Sequence, residues 1–121
     1  MAGVRRVGPQ CYLEMIDLVA HAAVVLTDSG GLQEETTALG VPCITLRDET
    51  ERPITVSEGT NVVVGTEPER ICAALDDVLA GRAKRGRCPA LSDGRTSERI
   101  IEIIRREIPA RLSPLAAGAN A

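Results

Sequence analysis

Phenylalanine and tryptophan are absent from this 121-residue chain, and Tyr12 is its only aromatic residue. A groove that stacks bases needs aromatics, and one that neutralises a phosphodiester backbone needs a basic excess. The formal charge here is -3, so no nucleic-acid partner is expected. Histidine occurs once, at His21; on a helical segment beside alanines it is expected to be structural. No apolar run approaches the roughly 20 residues that cross a bilayer. Met1–Arg6 carries basic residues with no apolar stretch behind them, so neither a membrane partner nor a signal peptide is expected. Cys11, Cys43, Cys72 and Cys88 are widely spaced and form no C-x-x-C pair. That spacing argues against a metal centre and against a disulfide framework. Reduced thiols fit a cytoplasmic setting, and no cofactor is expected.

The core must therefore come from Val, Ile, Leu and Ala, which suits a parallel sheet covered by helices. Val4–Val7 predicts a short strand and Gly8-Pro9 a turn. Tyr12–Ala22 reads as a helix, with Leu13, Ile16, Val19 and Ala20 on one face. Ala23–Thr27 predicts a buried strand. Leu32–Leu39 predicts a helix that Gly40 stops. Cys43–Leu46 is a further strand, and Pro53 opens a short helix through Glu58. Asn61–Val64 is β-branched and extended. Thr66 and Glu69 match a capping box for a helix carrying Ile71, Ala74, Leu75, Val78 and Leu79 on one stripe. Gly81–Asp93 is loop-like and basic. Thr96–Glu107 predicts a last helix, and residues 109–121, rich in Pro, Ala and Gly, read as a disordered tail. Strands alternating with helices argue for an α/β layer with right-handed crossovers.

The segment Thr27-Asp28-Ser29-Gly30-Gly31-Leu32-Gln33-Glu34-Glu35 joins a strand to a helix. Free amides at the positive end of a helix dipole bind phosphate. The two glycines remove side chains that would hold a phosphate off. At about 100° per residue, Leu32, Glu35, Thr36 and Leu39 share one face, and Gln33, Glu34 and Thr37 lie on the other. Glu35 then borders the apolar stripe one turn in, where it can accept from sugar hydroxyls. Phosphate plus hydroxyls suggests a nucleotide. The plainer alternative is that Ser29 or Asp28 merely caps the helix. A second loop, Arg47–Pro53, also follows a strand's carboxyl end, and in open α/β sheets ligands bind there. Arg52 is its candidate phosphate ligand, by a forked contact. The alternative pairs Arg47 and Arg52 with Asp48, Glu49 and Glu51.

Those motifs, with Leu39-Gly40-Val41-Pro42, Thr50-Glu51-Arg52-Pro53, Glu58-Gly59-Thr60 and Val64-Gly65, resemble the non-hydrolysing UDP-N-acetylglucosamine 2-epimerases over residues 4–107. Asp93-Gly94 and Ser97-Glu98-Arg99-Ile100 resemble the family's closing segment. The resemblance implies a Rossmann-like parallel sheet flanked by helices, part of the C-terminal half of a glycosyltransferase-B-type fold. Residues 1–108 would form part of the UDP-binding domain. It further implies that Ser29 and the Gly30 and Gly31 amides hold the diphosphate, Glu35 the ribose hydroxyls, and Arg52 the phosphates. The expected ligand is UDP or a UDP-N-acetylhexosamine, and the family is usually homodimeric. In the family reaction UDP is eliminated from the sugar and adds back from the other face, interconverting UDP-N-acetylglucosamine and UDP-N-acetylmannosamine. The family's first domain has no counterpart among these residues, so no catalytic acid or base is assigned, and the chain alone is expected to be inactive and to expose apolar surface. Thr36-Thr37 departs from the Ala-Pro of many relatives. The nucleotide-sugar half of a B-type glycosyltransferase and a non-catalytic nucleotide-binding module are the alternatives; Thr50–Pro53 favours the epimerases.

Overall fold

The computed structural model describes residues 3–116, with side chains described through residue 108. The described residues fall into two compact units divided between Pro89 and Ala90.

In the first unit three short strands, β1 (Val25–Thr27), β2 (Cys43–Thr45) and β3 (Asn61–Val63), form one sheet in the order β1-β2-β3. Both pairings are parallel, with Thr27 level with Thr45 and Thr45 level with Val63. The strands therefore end together, and the loops that follow them open at one edge. Helices α1 (Tyr12–Ala20), α2 (Gly30–Leu39), α3 (Pro53–Ser57) and α4 (Pro68–Leu79) complete the unit. Helix α2 lies against all three strands, and α4 lies against β2. The expectation of an α/β parallel sheet flanked by helices is borne out.

Several local expectations are corrected. Val4–Val7 is exposed and forms no strand, because two arginines interrupt it and no partner edge receives it. The first helix ends at Ala20, and the exposed His21 caps its end beside Asp17. The N-cap of α4 is Glu67, without a side-chain bond, in place of the expected Thr66. Pro68 takes the first helical position, which its fixed φ favours.

The largest correction concerns α2. Its buried residues are Gln33, Thr36 and Thr37, while Leu39 is 43% exposed. The expected face is turned because the surface α2 meets is itself polar. Buried polar residues include Thr45, Thr55, Thr60 and Asn61, and the buried hydrophobic core among the described residues is Val19, Val41, Cys43, Ile44 and Val64. Gln33 finds partners there that a leucine could not use. Thr37 packs where any Cβ on Gly59 would overlap it.

Beyond α4 the chain crosses back over the start of β3. The Arg87 amide donates to the Glu58 carbonyl at 2.8 Å, and Lys84 Nζ donates to the Val56 and Asn61 carbonyls. Desolvation lowers the Lys84 pKa. Gly86 rests on the Gly59–Thr60 peptide with no room for a Cβ.

In the second unit α5 runs Thr96–Ala116, past the end expected at Glu107. The helical backbone continues through the expected tail as far as Ala116, although Pro109 and Pro114 within it lack the amide that a helix interior uses; residues 117–121 lie outside the described residues. The Arg99 guanidinium donates to both Asp93 oxygens, at 2.9 and 3.0 Å, and to the Leu91 carbonyl. That pairing, helped by the Arg95 amide, holds the Asp93 carboxyl down to about 2.

Candidate functional site

The aligned carboxyl ends of β1 and β2 bring the two motif loops together. After β1 the chain enters α2 at Ser29, whose amide donates to Thr27 Oγ1 at 3.0 Å. The Ser29 side chain makes no capping bond. The first-turn amides of α2 have no partner within the helix, and the nearest hydroxyl leaves them uncapped. The capping alternative for Ser29 is thereby set aside.

Gly30 and Gly31 are not required by crowding. A Cβ on Gly31 would meet only Ser29 Oγ, at 3.8 Å. One on Gly30 would stand 3.7 Å from Arg52 Cγ and Nε, an ordinary contact. Neither glycine has the positive φ that favours the residue. Two adjacent glycines at a helix start lower its stability, and nothing in the chain itself needs them.

Arg52 lies across from Gly30, so the second loop reaches the start of α2. Its Nε is 3.4 Å from Glu34 Oε1, and both side chains are about half exposed. Exposed pairs of this kind are worth about 0–1 kcal/mol, so the guanidinium can turn to an incoming anion. Arg47 pairs with Glu51 at 3.0 Å. The Glu51 carboxyl is held below its usual value by its own backbone and then by Arg47. The alternative of arginines paired within the loop thus describes Arg47 and not Arg52. Glu35, one turn into α2, is half-buried, and its carboxylate makes no hydrogen bond or ion pair among the described residues. Ser29, Gly30, Gly31 and Arg52 come together at the sheet edge. The helical-face argument for Glu35 does not survive the turn of α2, since Leu39 is exposed.

Beneath these groups lies a polar network that the sequence reading missed. Gln33 Oε1 accepts from Thr50 Oγ1 at 2.5 Å and from Asn61 Nδ2 at 3.2 Å. Asn61 Nδ2 also donates to Thr55 Oγ1, and Asn61 Oδ1 accepts from Thr45 Oγ1 at 2.6 Å. Gln33 Nε2 and Thr37 Oγ1 are buried without a partner among the described residues. The available signal was Gln33 itself, a hydrogen-bonding residue one turn from a glycine pair. No group of three His, Cys, Asp or Glu among the described residues could hold a metal ion.

A convergence of helix amides, glycines and one arginine can hold a dianion. Residues 1–105 match the family model described as UDP-N-acetylglucosamine 2-epimerase. The chain is 44% identical over 101 residues to the UDP-N-acetylglucosamine 2-epimerase of Methanocaldococcus jannaschii, covering 84% of this chain and 27% of that protein. The structure of the enzyme from that organism in complex with UDP-GlcNAc and UDP superimposes with a TM-score of 0.73 at 44% identity, covering 83% of this chain and 27% of the other. The enzyme from Neisseria meningitidis bound to UDP-GlcNAc gives 0.72 at 34% identity, over 83% of this chain and 28% of that one. The chain thus spans about a quarter of the length of these relatives.

Proposed function

The chain belongs to the UDP-N-acetylglucosamine 2-epimerase family, and from that membership we propose that its crevice binds the diphosphate of UDP or of a UDP-N-acetylhexosamine. The family is one of isomerases, and the sheet corresponds to part of the C-terminal half of their B-type fold. The observation that carries the proposal is the position of Arg52 beside Gly30, which joins two loops far apart in sequence into one anion site.

Ser29 and the Gly30 and Gly31 amides take the phosphate oxygens, and Arg52 takes two of them by its fork. Glu35, whose side chain has no partner among the described residues, accepts from the ribose hydroxyls. In an elimination of UDP these groups stabilise charge developing on the leaving diphosphate. They do not move a proton at the sugar, and no residue of this chain is assigned to that task. Epimerisation itself, a homodimeric assembly and a cytoplasmic setting are proposals carried by family membership. Calorimetric titration with UDP, with AMP as control, tests the site. Selective binding of UDP supports it, and no heat from a folded sample overturns it.

A further inference from the structure

Resting on the reading of Arg52 as a phosphate ligand, we propose that Thr50 and Gln33 are positioning residues. Their hydrogen bond latches the β2–α3 loop onto α2 and so holds the Arg52 guanidinium over Gly30.

Thr50 is the joint. Its hydroxyl has one proton, which it donates to Gln33 Oε1 at 2.5 Å. The Thr50 hydroxyl oxygen in turn accepts from the Arg52 amide at 3.0 Å. On the other side of Arg52, its carbonyl accepts from Thr55 Oγ1 at 2.7 Å. Both backbone polar groups of Arg52 are therefore fixed by threonine hydroxyls, and only its side chain is free to meet a ligand. The anchor at the far end is firm. Gln33 is fully buried, so its amide cannot swing out to water. Its Oε1 is also fixed by Asn61, which Thr45 of β2 orients in turn.

Among the described residues, no backbone hydrogen bond joins residues 48–52 to α2. The side-chain latch performs that join. A forked contact to phosphate needs its guanidinium placed within about 0.5 Å, and the latch supplies a fixed base for it.

The test compares Thr50→Val, which keeps the shape and removes the hydroxyl, with Thr50→Ser, which keeps the hydroxyl. Hydrogen exchange of the ligand-free chain reads the latch without any ligand. The Arg52 amide is expected to exchange about tenfold faster in Thr50→Val and near the parent rate in Thr50→Ser. UDP titration reads its consequence. Thr50→Val is expected to weaken UDP about tenfold and Thr50→Ser less than about twofold. In an Arg52→Lys background, Thr50→Val should add less than about a further twofold, because the two act through one contact. A purely structural loss would instead multiply in full.

Parent-like UDP affinity in Thr50→Val, while Arg52→Lys is weakened, overturns the latch and leaves the ligand reading standing. If the parent chain itself does not bind UDP, the ligand reading fails, and the exchange data decide the latch alone. Equal Arg52 exchange in the parent and in Gln33→Met, which removes the far end of the latch and leaves the Thr50 hydroxyl, then overturns it, and faster exchange in Gln33→Met supports it. Should Thr50→Val not fold, Gln33→Met carries the same expectations.

Discussion

Replacing Gly30 by alanine is expected to move stability and ligand affinity in opposite directions. The added methyl stands 3.7 Å from Arg52 Cγ and Nε and 3.9 Å from Glu51 Oε1. Those are ordinary contacts, so nothing has to shift. The backbone at Gly30 is not in the left-handed region, so alanine accepts it without strain. Alanine is favoured over glycine by about 1 kcal/mol inside a helix, and by less in the first turn. A gain of about 0.3–1 kcal/mol raises Tm by roughly 2–6 °C for a unit of this size. Binding goes the other way. The methyl projects over the first-turn amides and holds a phosphate off them. One charge-assisted hydrogen bond lost costs about 1.5–3 kcal/mol, which weakens UDP roughly 10- to 150-fold. Thermal melting and UDP calorimetry on the same sample measure both. A lowered Tm would show that Gly30 serves the fold. UDP affinity within about twofold of the parent would show that the phosphate does not approach this turn.

Three further outcomes are expected. Asn61→Leu removes bonds to Thr45, Gln33 and Thr55 and should cost about 2–4 kcal/mol in urea unfolding. Gln33→Met should cost less, about 1 kcal/mol, because it also removes the unpaired Nε2; the reverse ranking would show that the three bonds of Asn61 do not hold the network together. Thiol-reactive reagents should label the exposed Cys11 and Cys72 well before the buried Cys43, whose pKa is raised by desolvation; equal labelling by mass spectrometry would contradict that burial. Asp93 should titrate near 2 by NMR, below its ordinary 3.8. Because the folded-state value is lowered, its contribution is present above 3.8 and is lost as pH falls toward about 2. Arg99→Gln should return the midpoint toward 3.8, and an unchanged midpoint would remove Arg99 as the cause.

The alternation of strand and helix was legible because each strand is a short run carrying β-branched residues and closed by Thr27, Thr45 or Val63, with glycine or proline nearby. The convergence of Asp28–Gly31 with Arg47–Pro53 followed from parallel topology alone. The orientation of α2 was not legible. Hydrophobic periodicity ranks Leu39 above Gln33 for burial, but burial is decided by what the facing surface offers. Here that surface is Thr50, Asn61 and Gly59, and it becomes visible only once β3 and the second loop are in place. The same holds for Thr66, a good cap by composition, which yields to the fixed φ of Pro68. Val4–Val7 had two valines suited to a strand, but two arginines between them and no edge to join.

The crossing of Gly86 over the Gly59–Thr60 peptide gives α4 an unusual means of support. Helix α4 has no fully buried residue, so side-chain burial alone holds it weakly. Yet its entry follows the end of β3 and its exit is fastened at the start of the same strand, through the Lys84 and Arg87 bonds to Val56, Asn61 and Glu58. The path from Gly59 to Gly86 is thus a closed ring in which backbone touches backbone. That closure ties the segment leaving α4 to the peptide just before β3, so the helix is held through its connections as much as through its own side chains.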